Sequence, residues 1–81
     1  MLIPLYGFLR GDTIGLLVLV HDDDRVADVA ACLQEAASVR VAPKPRARVY
    51  AGDGRLLDPT ITVADAGLRP LDRVDVIAED G

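Results

Sequence analysis

Two runs of apolar residues open the chain, and a short polar segment separates them. Residues 2–9 and 13–20 are rich in Leu, Ile and Val, whereas Arg10, Gly11 and Asp12 between them have the composition of a hairpin turn. Apolar and β-branched runs bounded by such turn residues are typical of β-strands. The pattern therefore predicts two antiparallel strands at the start of the chain.

A different spacing of apolar residues follows the hairpin. The positions recur every three or four residues, as in an amphipathic helix, at Val26, Val29, Ala30, Leu33, Ala36 and Ala37. Three aspartates, residues 22–24, precede them, and we expect one to cap the helix with a side-chain oxygen. Pro43 and Pro45 end the helical region, because proline cannot donate the backbone hydrogen bond that a helix requires.

The second half of the chain has short elements and frequent turn residues. Residues 46–51 and 55–57 predict two strands joined by the turn Gly52–Asp53–Gly54. Residues 58–68 have room for one helical turn that stops at Gly67, and residues 73–78 alternate as a last strand. The whole predicts a single α+β domain over residues 1–81, with a mixed four- to five-stranded sheet and one packed helix.

The alternation of the first two strands assigns residues to the two faces of that sheet. We expect the helix to pack on the inner face, which would carry Ile3, Leu5, Leu9, Ile14, Leu16, Val18 and Val20. The predicted core joins Val26, Val29, Ala30 and Leu33 to Ile3, Leu5, Leu16, Val18, Val74 and Val76.

The opposite face of the sheet is unusually apolar. A sheet that is covered by a helix on one side normally alternates with polar residues on the other. Here the outward positions are instead Pro4, Tyr6, Phe8, Leu17, Leu19 and Ile77. A contiguous apolar surface of this kind marks a binding site more often than it is accidental. We therefore predict that these six residues form a partner interface.

Charge and composition narrow the kind of partner. The net charge of −4 and the pI of about 4.7 disfavour nucleic acid and anionic membrane surfaces. No apolar run approaches the roughly 20 residues of a membrane helix, and residues 1–8 lack the basic start of a signal peptide. We expect a cytoplasmic protein with a protein partner, whose acidic rim could meet the basic residues Arg40, Lys44, Arg46 and Arg48.

Catalytic and metal-binding chemistry has little support in the sequence. His21 is the single histidine and Cys32 the single cysteine, so neither a zinc site nor a disulfide within the chain can form. We expect no catalytic, cofactor-binding or metal-binding residues in this chain.

The order of the elements resembles the β-grasp fold of ubiquitin over the whole chain. Residues 62–68, followed by Leu71, Asp72, Val74 and Val76, look like the ubiquitin-like pattern in which a short turn closes the sheet before the last strand. The chain ends in Glu79, Asp80 and Gly81 and not in the Gly-Gly of ubiquitin and the sulfur carriers. Covalent conjugation is therefore not expected.

A narrower resemblance is to the small B, or gamma, subunit of the soluble diiron toluene and alkene monooxygenases. It rests on the order and spacing of Ile3 and Pro4, Asp12, residues 40–43 (Arg-Val-Ala-Pro), residues 61–68, Pro70, Asp75, Val76, Glu79 and Asp80. The resemblance implies a non-catalytic subunit that binds large helical hydroxylase subunits, one of which holds the diiron centre. The alternative is a free-standing ubiquitin-like adaptor or a secretion-associated β-grasp protein.

Overall fold

The computed structural model describes residues 1–80. Gly81, the last residue of the predicted domain and of the terminus discussed above, lies outside the described residues. The elements of the fold are β1 (Leu2–Leu9), β2 (Leu16–His21), α1 (Val26–Ala36), β3 (Arg46–Ala51), β4 (Leu56–Leu57) and β5 (Arg73–Glu79). All the predicted strands and the helix are present. The predicted α+β class, with a mixed sheet and one packed helix, is confirmed.

The five strands form one sheet in the order β2-β1-β5-β3-β4. β1 and β5 pair in parallel at its centre, whereas the other neighbours are antiparallel. The predicted turn between β1 and β2 is closed by the Asp12 backbone N–H, which donates to the Leu9 carbonyl at 3.0 Å. Gly11 in that turn has φ 94°, a conformation that side chains disfavour. This topology leaves β2 and β4 as the edges of the sheet.

The helix packs on one face of the sheet and forms the core there. Of the ten predicted core residues, nine are buried, with Leu5, Leu33, Val74 and Val76 fully enclosed. Leu16 is only half-buried at the edge of the core. The inward placement of Ile14 was wrong, since it is 47% exposed. β2 begins at Leu16, so Ile14 lies in the connection and does not follow the alternation of the strand.

The start of the helix differs from the expected aspartate cap. The N-cap residue is Arg25, and its backbone N–H donates to the carboxylate of Asp28 inside the first turn at 2.9 Å. Asp24 instead accepts a hydrogen bond from the His21 backbone N–H at 2.8 Å. The predicted aspartate cap was therefore wrong. Asp24 bonds the end of β2 instead, and the carboxylate that bonds the N-cap backbone comes from Asp28, the third residue of the helix.

The loop after the helix is held by a buried glutamine. The Gln34 side-chain amide donates to the Lys44 carbonyl at 3.2 Å, and its oxygen accepts from the Lys44 backbone N–H at 2.7 Å. Both polar groups of a side chain that is only 7% exposed are thus satisfied. The contact fixes the segment between Pro43 and Pro45 against the helix.

The segment before β5 contains the expected single helical turn. The Ala66 N–H donates to the Thr62 carbonyl, and the Gly67 and Leu68 N–H groups donate to the Ala64 and Val63 carbonyls. This is the Schellman arrangement that ends helices, with Gly67 at φ 77° in the left-handed position. Val63, Ala66 and Leu68 are buried by it and close one end of the core.

Candidate protein interface

The face of the sheet that the helix does not cover, which we call the outer face, has two unlike halves. We call the part on β1 and β2 the apolar half; it carries Pro4, Tyr6, Leu17 and Leu19. We call the part on β5 and β3 the charged half; it carries Arg73, Asp75, Ile77, Glu79, Arg46, Arg48 and Tyr50. The six predicted interface residues are therefore divided between different environments.

Four of the predicted residues form one cluster in the apolar half. Pro4 lies directly opposite Leu19, and Tyr6 lies directly opposite Leu17. Such cross-strand neighbours are close enough for their side chains to touch. Tyr6, Leu17 and Leu19 are nevertheless 45%, 55% and 59% exposed, because no other element of residues 1–80 covers them. The cluster is an aliphatic and aromatic surface that faces solvent.

Phe8 is half-buried within its own chain. Its ring lies over Gly15, where a Cβ atom would come within 2.6 Å of the ring. The guanidinium of Arg73 lies 4.1 Å from the centre of the ring, close enough for a cation–π contact. Phe8 thus lies at the boundary of the apolar half, because Arg73 of the charged half covers one side of its ring.

Ile77 is separated from the apolar cluster by charged residues. It pairs with Arg48 across β3 and β5. Arg48 bonds Glu79 at 2.5 Å, and Arg73 bonds Asp75 at 2.9 Å. The hydrogen bond from Arg73 to Asp75 raises the pKa of the guanidinium above its usual value. Alternation correctly predicted that Ile77 points outward, but strand order places it in the charged half.

The predicted basic cluster is partly occupied by contacts within the chain. Arg40 forms a two-pronged ion pair with Asp12, with both N···O distances at 2.9 Å. The Asp12 side chain is almost fully covered, and the hydrogen bond from Arg40 holds the pKa of its carboxyl below the usual value. Arg48 is paired with Glu79, which leaves Lys44 and Arg46 as the more available cations. The sequence showed both partners but not their proximity across 28 residues.

Chemically reactive groupings are sparse in the described part of the chain. Within residues 1–80, no three His, Cys, Asp or Glu side chains lie together where they could hold a metal ion. Burial raises the pKa of the Cys32 thiol, which makes it a poorer nucleophile. An open cleft of about 300 Å³ lies beside Gly52 and Gly67, but its lining mixes both signs of charge: Asp53, Asp72, Arg55, Arg69 and Arg73.

None of the helical structure in residues 1–80 is long and apolar enough to cross a membrane.

The chain is similar to a known protein family and to solved structures. The family model described as Toluene-4-monooxygenase system protein B (TmoB) matches residues 2–77. A chain from the toluene 4-monooxygenase HD complex with the inhibitor 4-bromobenzoate is similar at 28% identity and a TM-score of 0.88. The match covers 98% of this chain and all of that chain. No curated protein matches the sequence.

More distant structures share the fold alone. A ubiquitin from Caldiarchaeum subterraneum is 19% identical with a TM-score of 0.75, and the match covers 98% of this chain and 95% of that chain. The ubiquitin-like domain of EccD5 from Mycobacterium xenopi is 11% identical with a TM-score of 0.76, and the match covers 100% and 98% of the two chains. The expected ubiquitin-like β-grasp fold is confirmed.

Proposed function

The chain belongs to the family of toluene-4-monooxygenase system protein B, and from that premise we propose that it is the non-catalytic gamma subunit of a soluble diiron hydrocarbon monooxygenase. In this proposal it acts in the cytoplasm as a single domain and binds the large helical subunits of the hydroxylase component. Its own contribution is a binding surface, while the chemistry on an aromatic or alkene substrate takes place in its partner.

The observation that carries the proposal is the exposed apolar half of the outer face. Tyr6, Leu17 and Leu19 are each roughly half exposed and are neighbours on adjacent strands. Monomeric proteins rarely leave contiguous apolar surface larger than a few hundred Å² in water. Burial of such surface contributes about 25 cal/mol per Å², and aromatic residues such as Tyr6 often anchor interfaces. Permanent burial in an assembly accounts for this surface.

The diiron centre of such a hydroxylase does not fit the residues of this chain. Carboxylate-bridged diiron sites in helical proteins take ligands from several helices, including Glu-x-x-His pairs. Residues 1–80 contain one helix, and the single histidine of the sequence, His21, lies at the end of β2. We therefore assign the metal to a partner subunit, and Pro4, Tyr6, Leu17 and Leu19 to the surface that binds a partner, with Phe8 at its boundary and Ile77 outside its centre.

Co-expression with the large hydroxylase subunits tests the proposal. A Leu17→Asp, Leu19→Asp double variant places two charges on the apolar half, and we expect it to elute apart from the large subunits in size-exclusion chromatography. Val39→Asp is the matched control, because Val39 is 84% exposed and lies outside the sheet. It should co-elute as the unmodified chain does. Circular dichroism of each variant checks that it is folded.

Two outcomes would contradict the proposal. If the folded double variant remains with the large subunits in the same ratio as the Val39→Asp control, the interface lies elsewhere on the chain. If even the unmodified chain elutes as a free monomer, a free-standing adaptor replaces the subunit as the better account.

A further inference from the structure

Among residues 1–80, no strand pairs with the outer side of β2, which is therefore an edge strand with one side of its backbone open. The Pro4 carbonyl and the Tyr6 N–H bond toward residues 71 and 72, so these two residues direct their backbone groups away from β2. Their opposite residues in β2, Leu19 and Leu17, therefore sit at non-hydrogen-bonded positions of the antiparallel pair. The N–H and C=O groups of Leu17 and Leu19 consequently point outward from the sheet.

This edge has none of the features that usually protect an exposed strand. Edge strands are commonly guarded by charged side chains, proline, bulges or a covering loop. β2 reads Leu-Leu-Val-Leu-Val-His, and its register with β1 runs without a bulge from Leu16 to His21. Only the end is closed, where Asp24 accepts from the His21 N–H and donates its own backbone N–H to the His21 carbonyl. The open stretch is thus confined to the strand on either side of Val18.

The spacing of the unpaired groups identifies the type of occupant. Leu17 and Leu19 are alternate residues, and each presents one backbone N–H and one backbone C=O at the open edge. An additional β-strand forms hydrogen bonds with groups in this arrangement. The exposed Leu17 and Leu19 side chains stand on the outer face beside that edge, so one extended segment would meet both the backbone groups and the apolar half.

A second copy of this chain fits the edge less well than a different protein does. Two copies would bring together chains of net charge −4, each with Asp22, Asp23 and Asp24 at the end of β2. Pairing of two six-residue strands alone also covers far less than the roughly 1,200 Å² of a stable interface. A large subunit can supply a strand together with further surface that covers Tyr6 and Pro4.

We propose that β2 is extended by a β-strand from a large subunit of the hydroxylase, with aliphatic residues at the alternate positions that flank Leu17 and Leu19. The inference rests on the proposed function and specifies how the partner binds. The added strand forms backbone hydrogen bonds with Leu17 and Leu19, and its side chains extend the apolar half into a continuous buried layer.

Amide hydrogen exchange in the intact complex tests the pairing. The complex is exchanged in D₂O, quenched in acid, and the small subunit is then read residue by residue. We expect the Leu17 and Leu19 amides to exchange rapidly in the free chain and at least about a hundredfold more slowly in the complex. The amides of Val18 and Val20 face β1 and are protected in both states, so they serve as the internal reference.

Each other outcome is informative. If the chain co-elutes with the large subunits but the Leu17 and Leu19 amides stay as open as in the free chain, strand addition is wrong while the proposed function stands. If no complex forms, both are overturned. If the free chain alone protects these amides and elutes as a dimer, the occupant is a second copy and the assignment to a large subunit is wrong.

A backbone substitution isolates the hydrogen bond from the side chains. Cys32, the single cysteine, allows the chain to be joined from synthetic segments 1–31 and 32–81. Replacing the Leu19 amide by an ester removes the N–H and keeps the leucine, and we expect about tenfold weaker binding to the large subunits. The same replacement at Val39, outside the sheet, is the control and should leave binding unchanged. Equal binding by both esters would contradict the inference.

Discussion

The two faces of the β1–β2 hairpin carry similar side chains but have different surroundings. Leu5 and Val18 oppose each other on the inner face and are buried beneath the helix. Tyr6 and Leu17, the next pair along, lie on the outer face and are about half exposed. Apolar character alone therefore does not distinguish the core from the candidate interface. The distinction comes from which face the single helix covers.

This difference separates residues that hold the chain together from residues available for association. Enclosed side chains contribute to folding through both transfer from water and close packing. Side chains that remain half exposed contribute much less to the isolated chain, and the rest of their apolar surface is available to a partner. Substitutions on the two faces should accordingly change different measured quantities.

The largest expected effect on folding is from Leu33→Ala. Leu33 is fully buried between the helix and the sheet, so the change should lower the free energy of unfolding by about 2–5 kcal/mol. Leu19→Ala is the matched change on the outer face and should alter it by no more than about 0.5 kcal/mol. Urea denaturation of both isolated variants measures the difference. Similar losses would mean that the outer face also belongs to the folding core.

A pair of glycines gives a second contrast of intermediate size. A Cβ at Gly7 would lie 2.7 Å from a Leu33 methyl carbon that is enclosed and cannot easily move. Gly7→Ala should therefore cost about 1–3 kcal/mol of stability. Gly15→Ala meets the ring of the half-exposed Phe8, which can turn toward solvent, and should cost less. Thermal unfolding compares the two, and a larger loss for Gly15→Ala would contradict the assignment of the faces.

Local patterns in the sequence were sufficient for the elements and most of the core. The three-and-four spacing correctly predicted the phase of the helix at five of its six positions, whereas Ala36 is exposed. Alternation correctly predicted the outward direction of Tyr6 and Leu17. The inward direction predicted for Ile14 was wrong because the start of β2 depends on the length of the turn, which alternation alone does not give. Ile77 is separated from Leu19 because β1 lies between β2 and β5 in the sheet, and this strand order depends on contacts between residues that are distant in sequence.

Other features of the candidate interface depend on residues that are close only in three dimensions. The contact of Arg73 with Phe8 joins residues 65 positions apart, and no local pattern indicates it. The open backbone edge of β2 is likewise invisible until β2 is seen to pair on one side only, with β1. The sequence thus predicted which residues are apolar and outward, but not which of them the chain itself already contacts.

A smaller, stabilising effect is expected at Leu71. This residue has φ 67°, the left-handed conformation that costs non-glycine residues energy, and its side chain is 57% exposed. Leu71→Gly should raise the free energy of unfolding by about 0.5–1 kcal/mol. Leu71→Ala keeps the backbone strain and should give no such gain. Equal stability of the two variants would show that the backbone cost is relieved elsewhere.

The smallest effect is expected at the end of the hairpin, where Asp12 meets Arg40. Because this ion pair lowers the carboxyl pKa in the folded chain, it stabilises the fold above the unfolded pKa of about 4 and loses that effect as the pH falls through the folded pKa. Asp12→Asn should therefore be less stable at neutral pH and show a weaker loss of stability on acidification. Urea midpoints between neutral and acidic pH measure this, and parallel profiles for both proteins would contradict it.

The most direct measurement uses the two tyrosines of the chain, one in each half of the outer face. Tyr6 lies in the apolar half and Tyr50 in the charged half, next to Asp75. Hydroxyl-radical oxidation of the free chain and of the hydroxylase complex, read by mass spectrometry, compares them within one sample. The account predicts that Tyr6 loses most of its reactivity in the complex while Tyr50 retains it. Unchanged reactivity of Tyr6 in a complex that contains the chain would contradict burial of the apolar half.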